Sequence, residues 1–278
     1  MKFPLVRRSK LSVERDGFRS KVERLAAQNT MLKGKLGDAV RRGALREPTP
    51  PTYYVSRAEG IAYLQIPKAG CSTFISQILR LEDPAGYESR IAEFRRCVFG
   101  IHHSAAMAAL RAGEAAGLLR FTFTRHPFAR LWSFFQNQIA GQSGDPKCDA
   151  TIAAEIAASG FAPGMAFADF IKALLEDKRA RKNPHVRRQS DFLWSASGPN
   201  FDYIGQLERL ADHRVFLRKV LGIAGDQLPS LNQTQSAGRE ARDAWAAIDP
   251  KHIEALSAYY AADFALLGYD HPDSGRRR

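Results

Sequence analysis

The sequence predicts an α/β fold, a parallel sheet flanked by helices, preceded by a helical extension. Three observations predict it. Short runs rich in β-branched and aromatic residues alternate with longer amphipathic runs from residue 61 onward. The order strand, loop, helix recurs, which is how a parallel sheet covered on both faces is written in sequence. The first 50 residues have a different, strongly basic texture and end at a proline cluster.

In chain order, residues 18–39 come first. Phe18, Val22, Leu25, Asn29, Leu32, Leu36 and Ala39 alternate spacings of four and three, the a and d positions of a heptad. Such a stripe either pairs two copies or packs on the chain's own body. Asn29 at an a position favours a defined two-stranded register, so a homodimer through residues 18–39 is expected. Gly34 and Gly37 each weaken this helix by roughly 1 kcal/mol relative to Ala. Pro48-Thr49-Pro50-Pro51 cannot continue a helix and marks a linker. The division is therefore a basic extension over residues 1–50, with a heptad helix at about 18–42, and an α/β domain over 51–278. Within that domain Ile61–Ile66, Cys97–Ile101, Phe121–Thr124 and Phe201–Gly205 read as strands. Ser72–Arg80, Ala129–Ile139, Ala166–Asp177, Leu207–Leu221 and Pro250–Ala261 read as helices. Residues 141–163, rich in Gly, Ala and Pro, read as a flexible loop or a lid over a substrate.

A chain of 278 residues with 45% hydrophobic and 25% charged residues is ordinary for a globular protein. The net charge of +12 is unevenly spread. Residues 1–50 carry 13 Lys/Arg against 5 Asp/Glu, a net of +8, and Arg276-Arg277-Arg278 adds +3. The body is nearly balanced, so nucleic acid is not an expected partner of the domain, while the basic termini suit contact with an anionic membrane surface. Cys71, Cys97 and Cys148 form neither a disulfide framework nor a metal-ligand spacing. No run of about 18 apolar residues and no secretory leader is legible. A cytoplasmic protein, peripheral to a membrane at most, without a metal, is the expectation.

Two segments carry chemistry. Ile66-Pro67-Lys68-Ala69-Gly70-Cys71-Ser72-Thr73-Phe74 lies between a strand and a helix, where backbone N–H groups and the helix dipole favour an anion. Gly70 lets the backbone approach a phosphate, Ser72 and Thr73 offer hydroxyls, and Lys68 offers a cation. The second segment is Arg120–Phe135. Arg125 sits just past a strand end, where ligands of open α/β sheets gather, and Pro127 opens the following helix. Ser133 lies on that helix. Arg125 supplies bidentate recognition of a phosphate, and its place near a helix N-terminus is electrostatically unfavourable unless an anion is present.

Together these segments resemble the two motifs with which sulfotransferases bind 3′-phosphoadenosine-5′-phosphosulfate (PAPS). Pro67, Lys68, Gly70 and Ser72/Thr73 are similar to the loop that grips the 5′-phosphosulfate. Arg125 followed eight residues later by Ser133 is similar to the 3′-phosphate motif. The run from Arg125 to Phe134 most resembles the carbohydrate branch, Golgi-type and bacterial. Asn183-Pro184-His185, Gln189-Ser190-Asp191, Phe201–Glu208, Leu231–Thr234 and Tyr260…Asp263-Phe264…Tyr269 resemble its later blocks. The resemblance covers residues 58–270. It implies a P-loop-like sheet, PAPS as co-substrate, a carbohydrate or glycolipid acceptor, and Pro67, Lys68, Ala69, Gly70, Cys71, Ser72, Thr73, Arg125 and Ser133 as cofactor contacts.

Sulfuryl transfer to a hydroxyl needs a base, and histidine suits it near neutral pH. The resemblance favours a histidine after the strand ending at Ile101, hence His102 or His103, with His185 a later candidate. His126 reads as non-catalytic. Lys68 would stabilise the leaving phosphate oxygen. Arg187, Arg188 and Arg239 are further candidate contacts. Two rival readings compete. A P-loop kinase or nucleotide hydrolase would need a Walker A lysine after the glycine, with a metal-holding Ser/Thr directly behind it, which this loop does not supply in order. A non-catalytic coiled-coil protein binding polyanions through its ends leaves the Lys68 and Arg125 segments unexplained.

Overall fold

A computed structural model describes residues 6–43, 51–88, 91, 115, 117–141, 146–195, 197–223 and 237–271. Helix α1 (Val6–Arg41) leads into β1 (Tyr53–Ser56), β2 (Ile61–Leu64), α2 (Cys71–Glu82) and β3 (Leu119–Thr124). Then come α3 (Pro127–Phe134), α4 (Pro146–Ala158) and α5 (Phe167–Glu176), and a small ribbon of β4 (Trp194–Ser195) and β5 (Gly198–Pro199). β6 (Tyr203–Gln206), α6 (Arg214–Leu221), α7 (Ala237–Ala246), α8 (Pro250–Tyr259) and α9 (Ala261–Leu267) complete the order. The main sheet runs β1-β2-β3-β6. β2, β3 and β6 are parallel, and β1 pairs antiparallel with β2 at the edge.

Strand alternation distributes the core. Ile61, Tyr63, Phe121 and Phe123 pack with Phe74, Ile75, Ile78 and Leu79 of α2 and with Leu217 and Leu221 of α6. Ala62 and Leu64 face the other way, into a cluster with Leu32 and Leu36 of α1, Phe192, Phe201 and Leu267 of α9. Both faces of the sheet are thus covered, as a parallel sheet requires. A third cluster joins α3, α4, α5 and α8 and takes no strand residue.

Several boundaries differ from expectation for physical reasons. The strand at Ile61 stops at Leu64, because the chain turns at Pro67. The helix after Arg125 starts at Pro127 and widens to a π turn over Phe135–Ile139. Residues 207–213 form 3₁₀ turns broken at Arg209 before α6 begins. The last helix breaks at Tyr260 into α8 and α9. Residues 146–158 are helical rather than loop, since Ile152 and Ile156 give them a buried i, i+4 pair. The expected strand Cys97–Ile101 and residues 142–145 lie outside the described residues.

The heptad stripe is used differently from the expectation of a coiled coil. Asn29, Leu32, Leu36 and Ala39 are buried against the chain's own domain. Asn29 Oδ1 accepts from the Ile204 N–H at 2.9 Å, and Lys33 lies 3.6 Å from Asp202. A Cβ at Gly37 would come within 3.3 Å of Trp194, so this glycine admits close approach of the body. The polar a position therefore fixes α1 on β6, and these seam residues are not presented to a second copy. Leu36→Ala should cost about 2–5 kcal/mol. The melting temperature of the wild-type chain should also be independent of protein concentration, which a dimer held by this stripe would not allow.

Candidate functional site

The loop after β2 turns at Ile66–Ala69, with the Ala69 N–H donating to Ile66 O at 3.2 Å. Pro67 takes the second position of the turn, and Lys68 the third with φ of 64°. Positive φ there is ordinarily a place for Gly or Asn. A lysine held in this region costs roughly 1–2 kcal/mol, strain of the kind that persists where a side chain is needed. Gly70 follows at φ 79°, and a Cβ on it would lie 3.1 Å from Leu207 and from Phe74. Both conformation and contact demand glycine at this point. α2 then starts at Cys71, with Ser72 and Thr73 half-buried in its first turn.

The second segment leaves β3 at Thr124. His126 caps α3, its Nδ1 accepting from the Phe128 N–H at 3.3 Å, while its own N–H donates to Glu208 Oε1 at 2.8 Å. The two segments meet. Arg125 Nη1 lies 3.4 Å from the Lys68 carbonyl oxygen, and Arg130 Nε donates to the Pro67 carbonyl at 2.8 Å. Arg130 is fully buried and also donates to the carbonyls of Arg187 at 2.7 Å and Pro184 at 2.9 Å. It ties three separate stretches of chain together.

Lys68, Arg125 and Arg130 crowd their charges. Burial is the main cause that lowers the pKa of Lys68, to about 8, with Cys71 opposing and Arg125 and Arg130 adding like-charge repulsion. Burial also lowers Arg125 and Arg130, opposed by Glu208 and Tyr269 for the first and chiefly by Tyr260 and Asp263 for the second. Lys68 and Arg125, both half-buried and joined at 3.4 Å, with Arg130 buried behind them, form a place suited to an anion.

Of the residues expected at the site, Pro67, Lys68, Ala69, Gly70, Cys71, Ser72, Thr73 and Arg125 come together at the carboxyl ends of β2 and β3. Ser133 lies two turns along α3, half-buried, and no hydrogen bond joins its hydroxyl to Arg125 among the described residues. His102 and His103 lie outside the described residues. His185 stacks on Phe134 at 4.9 Å between centroids and bonds to Asn183 Oδ1 at 3.0 Å. Arg187 and Arg188 both pair with Asp191. Arg130, Gln189 and Asp263 fall within the blocks that resemble the family, but sequence reasoning gave none of them a role at the site. For Arg130 a signal existed: an arginine on the face of α3 that also carries apolar core residues must have buried partners.

Residues 51–270 match the family model described as "Sulfotransferase family". The chain belongs to this family. Mouse carbohydrate sulfotransferase 8 is 22% identical over 248 residues, covering 80% of this chain and 57% of the relative. Human carbohydrate sulfotransferase 8 is 24% identical over 249 residues, covering 79% and 55%. Carbohydrate sulfotransferase 12 of Xenopus laevis is 25% identical over 170 residues, covering 55% and 40%. The chain thus spans a little over half the length of the first two relatives. No solved structure matches.

Proposed function

We propose that the protein moves a sulfuryl group from PAPS to a hydroxyl of a carbohydrate or glycolipid acceptor. The observation that carries this is the meeting of the Lys68 loop with the Arg125 segment, 3.4 Å apart, within one group of three partly or fully buried cations. The donor set suits a ligand with two anionic ends, and PAPS is such a ligand. The carbohydrate acceptor is supported by the names of the relatives, carbohydrate sulfotransferases 8 and 12.

In the proposed reaction the acceptor oxygen forms a bond to sulfur as the bond from sulfur to the bridging phosphate oxygen breaks, in line. The acceptor proton passes to His102 or His103, and adenosine 3′,5′-bisphosphate departs. Lys68 faces the charge that grows on the bridging oxygen. Arg125 and Ser133 hold the 3′-phosphate, and the Ala69–Thr73 backbone and hydroxyls hold the 5′ end. A cytoplasmic enzyme, touching an anionic membrane surface through its basic termini, is part of this proposal; cell fractionation tests both. Among the described residues no helix is long and apolar enough to cross a membrane.

Radiolabelled PAPS incubated with a panel of glycans should label a sugar hydroxyl, and absence of transfer to every glycan in the panel would reject the acceptor class. Arg125→Ala should weaken binding of adenosine 3′,5′-bisphosphate by roughly tenfold to a hundredfold, the worth of a charged hydrogen-bonding group. Calorimetry showing unchanged affinity would reject the 3′-phosphate assignment.

A further inference from the structure

Arg125 and Arg130 stand five residues apart and are held in opposite ways. Arg130 spends its guanidinium on three backbone carbonyls. Among the described residues the Arg125 guanidinium makes one hydrogen bond, a long one to Lys68 O, whereas its backbone is gripped on both sides. The Arg125 N–H donates to Gln189 Oε1 at 2.9 Å, and Gln189 Nε2 donates to the Arg125 carbonyl at 2.7 Å. One carboxamide therefore fixes both peptide planes flanking the Arg125 Cα.

Gln189 is itself fixed. It is fully buried, and its own N–H donates to Asp263 Oδ2 at 2.8 Å, beside the Ser190 N–H donating to Asp263 Oδ1 at 2.8 Å. Asp263 is fully buried on α9. The chain from α9 through Gln189 to Arg125 is continuous, fully buried at Asp263 and Gln189 and half-buried at Arg125. A rigid backbone beneath a lightly engaged guanidinium is the arrangement of a side chain kept ready for a ligand.

We infer that Gln189, oriented by Asp263, is a positioning residue that aims Arg125 at the 3′-phosphate and so sets the preference for a 3′-phosphorylated nucleotide. This rests on the proposed role of Arg125. A guanidinium whose backbone anchor rotates loses the geometry of a bidentate contact, while the 5′ end, held by the Lys68 loop, is not touched by Gln189.

The test measures binding of adenosine 3′,5′-bisphosphate and of adenosine 5′-phosphate, by calorimetry, to the full chain. Gln189→Met should weaken the bisphosphate by roughly tenfold and leave the 5′-phosphate unchanged. In an Arg125→Ala background the same substitution should have no further effect. Gln189→Glu keeps the acceptor for the Arg125 N–H and loses the donor to its carbonyl, and should show the same selectivity; it decides the matter if Gln189→Met does not fold. Equal weakening of both nucleotides, or an undiminished effect in the Arg125→Ala background, would overturn the inference alone. A wild-type chain that does not distinguish the two nucleotides would overturn the Arg125 reading and this inference with it.

Discussion

Replacing Lys68 with Gly is expected to lower turnover by about 10²–10³-fold, the cost of removing one group that stabilises transition-state charge, while the melting temperature holds or rises. The two effects have one origin. Lys68 occupies φ 64°, where glycine is at ease and lysine is strained, and its ammonium is desolvated beside Arg125 and Arg130. Glycine removes strain and repulsion together, and with them the cation. Lys68→Ala should match the loss of turnover with a smaller gain in stability than Lys68→Gly, because it removes the repulsion while its Cβ keeps the strain. A Lys68→Gly protein with near-normal turnover would show that the amine is not needed by the reaction.

The lowered pKa of Lys68, about 8, adds a dependence on pH. The folded value lies below the ordinary lysine value of 10.5, so between the two the unfolded chain binds more protons. Stability of the free protein should therefore rise with pH across that window, and the penalty is fully present below it. An anion at the site favours the charged amine, so nucleotide affinity should be greatest below pH 8 and fall as the free amine deprotonates. Calorimetry in buffers of different ionisation enthalpy should report proton uptake on binding near pH 8.5. Binding without proton uptake would mean that the amine lies away from the nucleotide.

The parallel sheet was legible because Ile61–Leu64 and Phe121–Thr124 are short β-rich runs, each followed by a loop and an amphipathic helix. The segments holding Lys68 and Arg125 were legible because glycine, proline and basic residues at strand ends have few other uses. Their meeting was expected from the resemblance alone, since it depends on β2 and β3 being neighbours in the sheet, a fact of register that spacing does not carry. The α1 stripe was ambiguous in principle: a heptad face fits a second helix or the chain's own sheet equally well, and partners far off in sequence, such as the Ile204 N–H and Trp194, select the latter. The clamp on Arg125 was hidden for the same reason. Gln189 and Asp263 act through backbone atoms 64 and 74 residues away, and side chain to backbone contacts leave no trace in periodicity.

Arg130→Met is expected to destabilise the fold by about 3–5 kcal/mol, the cost of breaking one side of a buried charged network. For a chain of this size that is a drop in melting temperature on the order of 10 °C. Methionine keeps most of the volume and isolates the cause: the carbonyls of Pro67, Pro184 and Arg187 lose their donors, the Pro67 carbonyl at a buried place. Asp263, whose pKa burial already raises, loses the opposing charge of Arg130 as well. Arg130→Lys should recover little, because one ammonium on a flexible stem cannot span three carbonyls that a planar fork serves at once. Nucleotide affinity should fall in both variants, since the Lys68 turn then loses its anchor from α3 at the Pro67 carbonyl. The melting curve separates two roles for this residue. A strut loses stability and affinity together, whereas a residue that touches the nucleotide directly would lose affinity with its melting temperature intact, and that second outcome would remove Arg130 from the scaffold and make it part of the anion cradle itself.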